Sequence, residues 1–276
     1  MHLRDKLEYM IIAVDTGGTK TLVARFAPDG TCEKTDKFAT PHDTNAYLDQ
    51  LSASITLLSE HATPSVIVVA MPGWIEHDVV VDFGNLPWHN FAIKAELSKR
   101  FRGTGILVEN DANLGGLGEA HQLSVLPHRC LYVTVSTGIG GGFIVNGTID
   151  TTMRTMEIGH MQLEIEGEIT KWETVASGKA LFNNYHEFAS DMTDQRHWHA
   201  VATRLSRGFL AFLPILRPDL VIIGGSVGAH LDHFAEYLNE SIEKHMPPHY
   251  RCPIVAAKHP EEAVIYGCYQ YAIEHA

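Results

Sequence analysis

The sequence has few cysteines, and none is spaced as a metal site or a redox pair requires. Only four cysteines occur among 276 residues, at Cys32, Cys130, Cys252 and Cys268. No two of them are separated by one or two residues, so neither a disulfide framework nor a four-cysteine zinc site is expected. This usage fits a reducing compartment, and we expect the protein to be cytoplasmic.

A long hydrophobic run and an excess of positive charge are also lacking. The apolar run nearest the N-terminus covers residues 10–14, which is too short for a signal-peptide core or a membrane span. Lys and Arg number 21 against 33 Asp and Glu, a formal charge of −12. That charge disfavours nucleic acid and anionic lipid as partners. We expect a globular protein that binds neither nucleic acid nor membrane.

Short Val- and Ile-rich runs alternate with helical patterns, which predicts an α/β fold. The predicted strands are 10–14, 21–26, 66–70, 106–109, 131–136, 142–146, 220–224 and 253–256. The predicted helices are 44–61, 91–101, 112–122, 173–188, 195–216, 227–245 and 261–273. A strand, a glycine turn and a second strand occur twice, near residues 15 and 137. Together with the chain length, this repetition predicts two domains that meet near residues 110–113.

Two glycine-rich turns, each directly after a predicted strand, are candidate binding sites. The first reads D-T-G-G-T-K from Asp15 to Lys20, and the second reads S-T-G-I-G-G-G from Ser136 to Gly142. Successive backbone N–H groups in such turns can bind phosphate, and Asp15 can hold Mg²⁺ through water. Neither turn has the P-loop spacing, and neither has the G-x-G-x-x-G pattern that opens a helix in a Rossmann fold. For either turn alone, a purely structural hairpin is the alternative.

The segment E-N-D-A-N, from Glu109 to Asn113, lies where a predicted strand meets a predicted helix. A carboxylate at a strand end can orient a hydroxyl group and accept its proton, which makes Asp111 a candidate general base. The neighbouring Asn110 offers a polyol both a donor and an acceptor. The alternative is that Asp111 serves only as the N-cap of the helix, where Asp is favoured.

Further along the chain, E-I-G-H is followed by W-E-T-V-A-S-G, which together supply Glu157, His160 and Glu173. Such side chains can ligate a metal, act as acid and base, or bind sugar hydroxyls. The alternative for each residue alone is a solvated loop.

The order of these motifs, together with N-L-P-W and L-V-I-I-G-G-S, resembles the ROK family of sugar kinases and repressors. The matches extend from Ile12 to about Ser226. The resemblance implies a two-domain actin-like ATPase (ribonuclease H-like) fold with an interdomain cleft. One α/β domain would comprise residues 1–111 and 262–276, and the other residues 112–261, each with a five-stranded mixed sheet.

The same resemblance assigns site residues in this chain. The positions that match ATP-binding residues are Asp15, which would hold Mg²⁺ through water, with Gly17, Gly18, Thr19, Lys20, Thr137, Gly138, Gly140, Gly141, Gly224 and Gly225. The positions that match sugar-binding residues are Gly73, Asn85, Asn110, Asp111, Glu157, His160 and Glu173. Asp111 also matches the catalytic base.

The implied activity is ATP- and Mg²⁺-dependent phosphorylation of a hexose or N-acetylhexosamine at its C6 hydroxyl, by a homodimer whose partners are a small sugar and a nucleotide. The apolar face predicted for helix 195–216 is consistent with a dimer. Two alternatives stay open: a sugar-binding sensor with weak catalysis, and a glucokinase that uses polyphosphate. An actin-like filament or chaperone ATPase would need neither E-N-D-A-N nor E-I-G-H. The sequence does not name the sugar.

One departure from the family concerns zinc. Family members often carry C-x-C-G-x-x-G-C after the His of G-H, whereas residues 161–171 contain no cysteine. A structural zinc site needs about four ligands, so we expect none here. Met156 also stands where the family usually has glycine before Glu157.

Overall fold

The computed structural model describes residues 9–83, 86–165 and 167–276, which form two compact units. Unit 1 comprises the described residues up to Gly118 together with Val264–Ala276, and unit 2 comprises Glu119–Ala263. Within these described ranges, no helix has the length and apolar character that crossing a membrane requires.

Unit 1 is built on a five-stranded mixed sheet in the order β3-β2-β1-β4-β8. Its strands are β1 (Ile11–Thr16), β2 (Lys20–Phe26), β3 (Cys32–Ala39), β4 (Val66–Met71), β5 (Trp74–Glu76), β6 (Val79–Asp82), β7 (His89–Phe91) and β8 (Gly105–Asn110). Its helices are α1 (Thr44–Leu58), α2 (Ile93–Arg100), the start of α3 (Asp111–His121) and the C-terminal α9 (Ala263–Glu274). Strands β1, β4 and β8 are parallel, so their carboxyl ends lie at one edge of the sheet.

Unit 2 repeats this plan with a sheet in the order β11-β10-β9-β14-β15. Its strands are β9 (Arg129–Val135), β10 (Ile139–Val145), β11 (Thr148–Ile149), β12 (Gln162–Ile165), β13 (Glu168–Lys171), β14 (Leu220–Gly224) and β15 (Ile254–Ala256). Its helices are α4 (Trp172–Ala176), α5 (Gly178–Tyr185), α6 (Gln195–Leu216), α7 (Gly225–Gly228) and α8 (Leu231–His245). Strands β12 and β13 form a separate antiparallel hairpin.

Helix α6 is amphipathic, and its apolar face is buried in the core of unit 2. Trp198, Leu205 and Phe209 recur at helical spacing and are fully buried. Asp194 caps the helix by accepting a hydrogen bond from the N–H of Arg196 (2.8 Å). Because this apolar face packs within its own unit, it does not support the expected homodimer, which rests on the resemblance alone.

Several segments differ from the sequence-based prediction for identifiable reasons. Strand β3 was not predicted because it is a charged, mostly exposed edge strand with the sequence CEKTDKFA. The helix predicted over residues 173–188 is two helices, α4 and α5, separated by an extended Ser177 that caps the second. The helix predicted over residues 227–245 is likewise divided, into α7 and α8.

Candidate functional site

The first glycine turn joins β1 to β2 and is held rigidly from both sides. The N–H of Gly17 donates to the carbonyl oxygen of Lys20 (2.9 Å), and a Cβ at Gly17 would lie 2.9 Å from that same oxygen. Thr40 holds the turn through two further hydrogen bonds. Its Oγ1 donates to Gly17 O (2.7 Å), and its N–H donates to Thr19 O (3.0 Å). Gly18 lies between these anchored residues. The turn is thus preorganised, and sequence reasoning missed Thr40.

Asp15 lies at the carboxyl end of β1, two residues before this first glycine. Its backbone pairs with Leu22 on β2 and with Ala70 on β4. Desolvation raises the pKa of the Asp15 carboxyl to about 6, although the positive charge of Lys37 opposes the shift. A divalent cation near this carboxylate would offset the cost of desolvating its charge. The residue therefore fits the expected Mg²⁺, bound through water.

The second glycine turn, between β9 and β10, is held by contacts to Ser136. Ser136 N–H donates to Gly138 O (2.9 Å), and Ser136 O accepts from the N–H of Gly178 (2.6 Å). The hydroxyl of Ser136 accepts from the N–H of Ser226 (3.1 Å). Thr137 is exposed at the tip of the turn. Ser136 is therefore an anchor of this turn, as Thr40 is of the first.

The second turn is shorter than the predicted seven residues. Gly140 and Gly141 lie within β10, where they pair with Thr134 and Val133 of β9. A Cβ at Gly141 would lie 2.5 Å from Cδ1 of Ile158, so this glycine allows close packing of the E-I-G-H segment. Only Ser136, Thr137 and Gly138 connect the two strands.

At the end of β14, Gly225 packs against this second turn and Gly224 packs against Tyr132 of β9. Gly225 has a φ of +81°, and its Cβ would lie 2.6 Å from both Ser136 Oγ and Val135 O. A Cβ at Gly224 would lie 2.3 Å from the hydroxyl of Tyr132. A side chain at Gly225 would displace the turn and strain the backbone, whereas one at Gly224 would displace the ring of Tyr132.

Asn110, rather than Asp111, occupies the N-cap position of α3. The Oδ1 of Asn110 accepts hydrogen bonds from the N–H groups of Ala112 (2.9 Å) and Asn113 (3.1 Å). The helix begins at Asp111, whose Oδ1 lies 2.8 Å from the N–H of Ala112. Asn110 therefore occupies the cap position, and the Oδ1 of Asp111 in the first turn of the helix accepts from the same Ala112 N–H.

Asn110 also ties this helix start to the loop that carries Gly73. Its Nδ2 donates to Gly73 O (3.1 Å). Gly73 has a φ of +87°, and a Cβ there would lie 2.0 Å from Asp82 O, so only glycine fits. Asn85, another expected sugar-binding residue, lies outside the described residues. Trp88 from the same N-L-P-W segment is buried and donates from Nε1 to His42 O (2.6 Å).

In unit 2, the structure brings Glu157, His160 and Glu173 together. Nε2 of His160 lies 3.2 Å from Oε1 of Glu173. Desolvation raises the pKa of the Glu157 carboxyl, although the side chain also reaches solvent. The charges of His160 and Lys171 oppose this rise in pKa, and the charge of Glu173 adds to it. The three groups therefore interact electrostatically, beside the second glycine turn.

These residues do not fit a resident zinc ion. Across residues 9–83, 86–165 and 167–276, no three His, Cys, Asp or Glu side chains come close enough together to hold a metal. A structural zinc site requires about four such ligands. The expectation of no structural zinc stays a prediction that elemental analysis of the purified protein can test.

Comparison with known proteins identifies the family and the fold. The ROK family profile matches residues 11–275. A glucokinase of Thermotoga maritima is 26% identical over 93% of this chain and 95% of its own length. An N-acetylmannosamine kinase of Vibrio cholerae is 25% identical over 93% of this chain and 96% of its own.

A solved ROK family glucokinase from Streptomyces griseus, in complex with glucose and AMPPNP, superposes with a TM-score of 0.81 at 22% identity, covering 96% of this chain and 99% of that one. This similarity confirms the predicted α/β class and the actin-like ATPase fold. With a profile match over nearly the whole chain and the motifs in the expected order, the chain belongs to the ROK family.

Proposed function

We propose that this ROK-family sugar kinase transfers the γ-phosphoryl group of ATP to the C6 hydroxyl of a hexose or an N-acetylhexosamine. The observation that carries the proposal is the start of α3. Asn110 caps that helix by accepting from the N–H groups of Ala112 and Asn113, which supports a separate role for the carboxylate of Asp111 beside it. Two rigid glycine turns supply the backbone amides that phosphate binding requires.

On the acceptor side, Asp111 orients the attacking hydroxyl and accepts its proton. Its carboxylate is held at the first turn of α3, where the helix dipole favours a negative charge. Phosphoryl transfer passes through a loose transition state, so positioning matters more than the strength of the base. Gly73, Asn85 and Asn110 are the further sugar-binding residues proposed in unit 1, and Glu157, His160 and Glu173 are those in unit 2.

On the donor side, the backbone of both turns binds the phosphates of ATP. The proposed contacts in unit 1 come from Gly17, Gly18, Thr19 and Lys20. Those in unit 2 come from Thr137 and Gly138 of the turn, and from the adjoining Gly140, Gly141, Gly224 and Gly225. Asp15 holds Mg²⁺ through water, and the cation neutralises charge on the phosphates when bound. The Streptomyces griseus relative, in complex with AMPPNP, supports the assignment of an adenine nucleotide.

We further propose that the enzyme is a cytoplasmic homodimer, on the resemblance to its family and on its cysteine usage. Light scattering at micromolar protein concentration tests the assembly, since a monomer has a mass of 30.6 kDa. A mass of one chain would reject the dimer.

A coupled assay of ADP release over a panel of sugars tests the activity. The panel contains glucose, mannose, fructose, N-acetylglucosamine and N-acetylmannosamine, and each is assayed with ATP or polyphosphate as donor. We expect ADP formation to rise at least 10²-fold over the sugar-free rate for one or a few sugars, because water is excluded from such sites. NMR of the product identifies the phosphorylated hydroxyl.

Three other outcomes would each replace the proposal with a different function. Sugar binding without turnover would indicate a sensor. Faster turnover with polyphosphate than with ATP would indicate a polyphosphate kinase. Equal ATP hydrolysis with and without sugar would indicate a filament or chaperone ATPase.

A further inference from the structure

The carboxylate of Glu173 has one oxygen at His160 and the other at the second glycine turn. Oε1 lies 3.2 Å from Nε2 of His160, and Oε2 accepts a hydrogen bond from the N–H of Ile139 (3.4 Å). Gly138 leaves room for this carboxylate, because a Cβ there would lie 2.8 Å from Oε2. Glu173 therefore bridges the imidazole of His160 and the first residue of β10.

The backbone that carries Glu173 is anchored by the preceding Trp172. This indole is fully buried, donates from Nε1 to Arg204 O (3.2 Å), and makes edge-to-face contacts with Phe209 and Phe212 of α6. Gly208 makes this packing possible, since a Cβ there would lie 2.2 Å from the Trp172 ring. A carboxylate whose backbone is anchored in this way can orient a partner side chain.

The hairpin of β12 and β13 joins His160 to this anchor. The hairpin begins at Gln162, just after His160, and ends at Lys171, which pairs with Gln162. The N–H of Trp172 donates to Met161 O (2.9 Å) and so closes the base of the hairpin. The hairpin thus links the backbone segments that carry His160 and Glu173 by strand pairing.

We propose that Glu173 takes part in the sugar site through His160, as a positioning residue that holds His160 in one tautomer, rather than by contacting the sugar itself. In the neutral imidazole, Nε2 carries the hydrogen and donates to Glu173, which leaves Nδ1 as a hydrogen-bond acceptor. The His160 side chain is 50% exposed, so a ligand can reach it. Resting on the proposed function, this arrangement makes His160 an acceptor for a hydroxyl group of the sugar and disfavours a substituent that only accepts hydrogen bonds.

The tautomer can be measured in the free protein, independently of any kinase activity. Two-bond ¹H–¹⁵N correlation spectra of ¹⁵N-histidine-labelled protein at about pH 8 distinguish a protonated from an unprotonated ring nitrogen. His160→Gln assigns the signal by its loss. We expect protonated Nε2 and unprotonated Nδ1 in the parent, and a mixture of tautomers in Glu173→Gln. Glu164→Gln, the same change at an exposed position of the same hairpin, should leave the signal unchanged.

Kinetics then separate positioning from direct contact with the sugar. If Glu173 acts through His160, Glu173→Gln should raise the KM for the sugar about tenfold with a smaller change in kcat. The double variant with His160→Gln should then be no worse than His160→Gln alone. Direct contact of Glu173 with the sugar predicts that the two losses multiply.

The proposal is overturned by protonated Nδ1 in the parent, by an unchanged His160 signal in Glu173→Gln, or by multiplicative losses in the double variant. If Glu173→Gln fails to fold, the spectrum of the parent still shows whether Nε2 or Nδ1 of His160 carries the hydrogen. A protein that shows the expected tautomer but turns over no sugar would contradict the proposed function alone.

Discussion

The two glycine turns begin with nearly the same sequence, D-T-G at Asp15 and S-T-G at Ser136, yet they differ in charge and in the contacts that hold them. Both connect the first two strands of a five-stranded mixed sheet. In the first, the residue before T-G is a partly buried carboxylate whose pKa is raised by desolvation. In the second, it is a serine whose hydroxyl and carbonyl oxygens accept backbone N–H groups.

The same hairpin plan therefore accommodates either a charged or a neutral side chain before T-G. A carboxylate within the first turn suits a cation. The serine of the second turn adds no charge of its own, and the carboxylate beside that turn belongs to Glu173. The contacts that hold the two turns also differ. The side chain of Thr40 bonds to the first turn, whereas the backbone N–H groups of Gly178 and Ser226 bond to the second. Changes at equivalent positions should therefore have unequal effects.

The largest difference between the two turns should come from removing the polar group of the side chain that precedes T-G in each. Asp15→Asn removes the charge that we propose holds Mg²⁺, and it should lower kcat/KM about 10²–10³-fold. Ser136→Ala, the matched change in the second turn, should lower it about tenfold at most, because it removes one acceptor. Steady-state kinetics over a range of Mg²⁺ concentrations measure both. Equal losses would remove the distinction between the turns.

The next effect concerns the packing of Gly225 against the second turn. Gly225→Ala places a methyl group 2.6 Å from Ser136 Oγ and Val135 O at a φ of +81°. We expect a loss of about 2–4 kcal/mol in the free energy of unfolding. Gly103→Ala is the control, because its φ is +85° with no atom within 4 Å of the added Cβ; it should cost about 1 kcal/mol. Urea unfolding of both variants would reveal whether the contact or only the backbone conformation matters.

A third effect is the dependence of stability on the charge of Asp15. Its folded pKa of about 6 lies above the ordinary 3.8, so the folded state holds the proton more tightly. Stability therefore falls as pH rises from about 4 to 6, and the ionised group costs about 1–3 kcal/mol at pH 7. Asp15→Asn should be more stable than the parent at pH 7, with the difference vanishing below about pH 4.

The control for this effect is Asp29→Asn. A hydrogen bond from the Thr31 backbone lowers the pKa of Asp29, so this substitution should shift stability at pH 7 in the opposite direction. Thermal melting at several pH values measures both variants. An Asp15→Asn protein that is less stable than the parent at pH 7 would show that desolvation is not what dominates at this carboxylate.

The smallest effect should come from the side-chain support of the first turn. Thr40→Val removes the hydroxyl that donates to Gly17 O and contacts Thr21 Oγ1. We expect about 1–2 kcal/mol of destabilisation and a few-fold increase in the KM for ATP. Thr35→Val, on the exposed face of β3, should be nearly neutral. An unchanged KM in Thr40→Val would mean that the turn keeps its shape without this contact.

Elements set by local pattern were predictable from the sequence. Helix α6 begins and ends where its apolar periodicity and the following Arg217-Pro218 indicate. Strand β3 was missed because an edge strand buries too little to show an apolar pattern. The break between α4 and α5 was missed because it depends on Gly178 lying against Ser136 O, a contact between residues distant in the chain.

In the candidate site, too, the features set by local sequence were predictable, and those set by contacts between distant residues were not. The motifs located the residues, but the sequence could not choose between Asn110 and Asp111 as the helix cap, since both side chains are good caps. Neither the bond from Thr40 to Gly17, 23 residues apart, nor the contact of Glu173 with His160 follows from any local pattern. Such partners are set by how the chain folds back on itself.

The most direct test of the account is steady-state kinetics of Asp111→Asn, measured with the best sugar alongside a melting curve. Asn keeps the size and one acceptor, and Asn110 still caps α3. The control is Asp43→Asn, the same change at the true N-cap of α1, where Oδ1 accepts from the N–H of Ala46. The account predicts that kcat falls about 10²–10⁴-fold in Asp111→Asn alone, with sugar binding and melting nearly unchanged. Activity of Asp111→Asn within about threefold of the parent would contradict the assignment of Asp111 as the catalytic base.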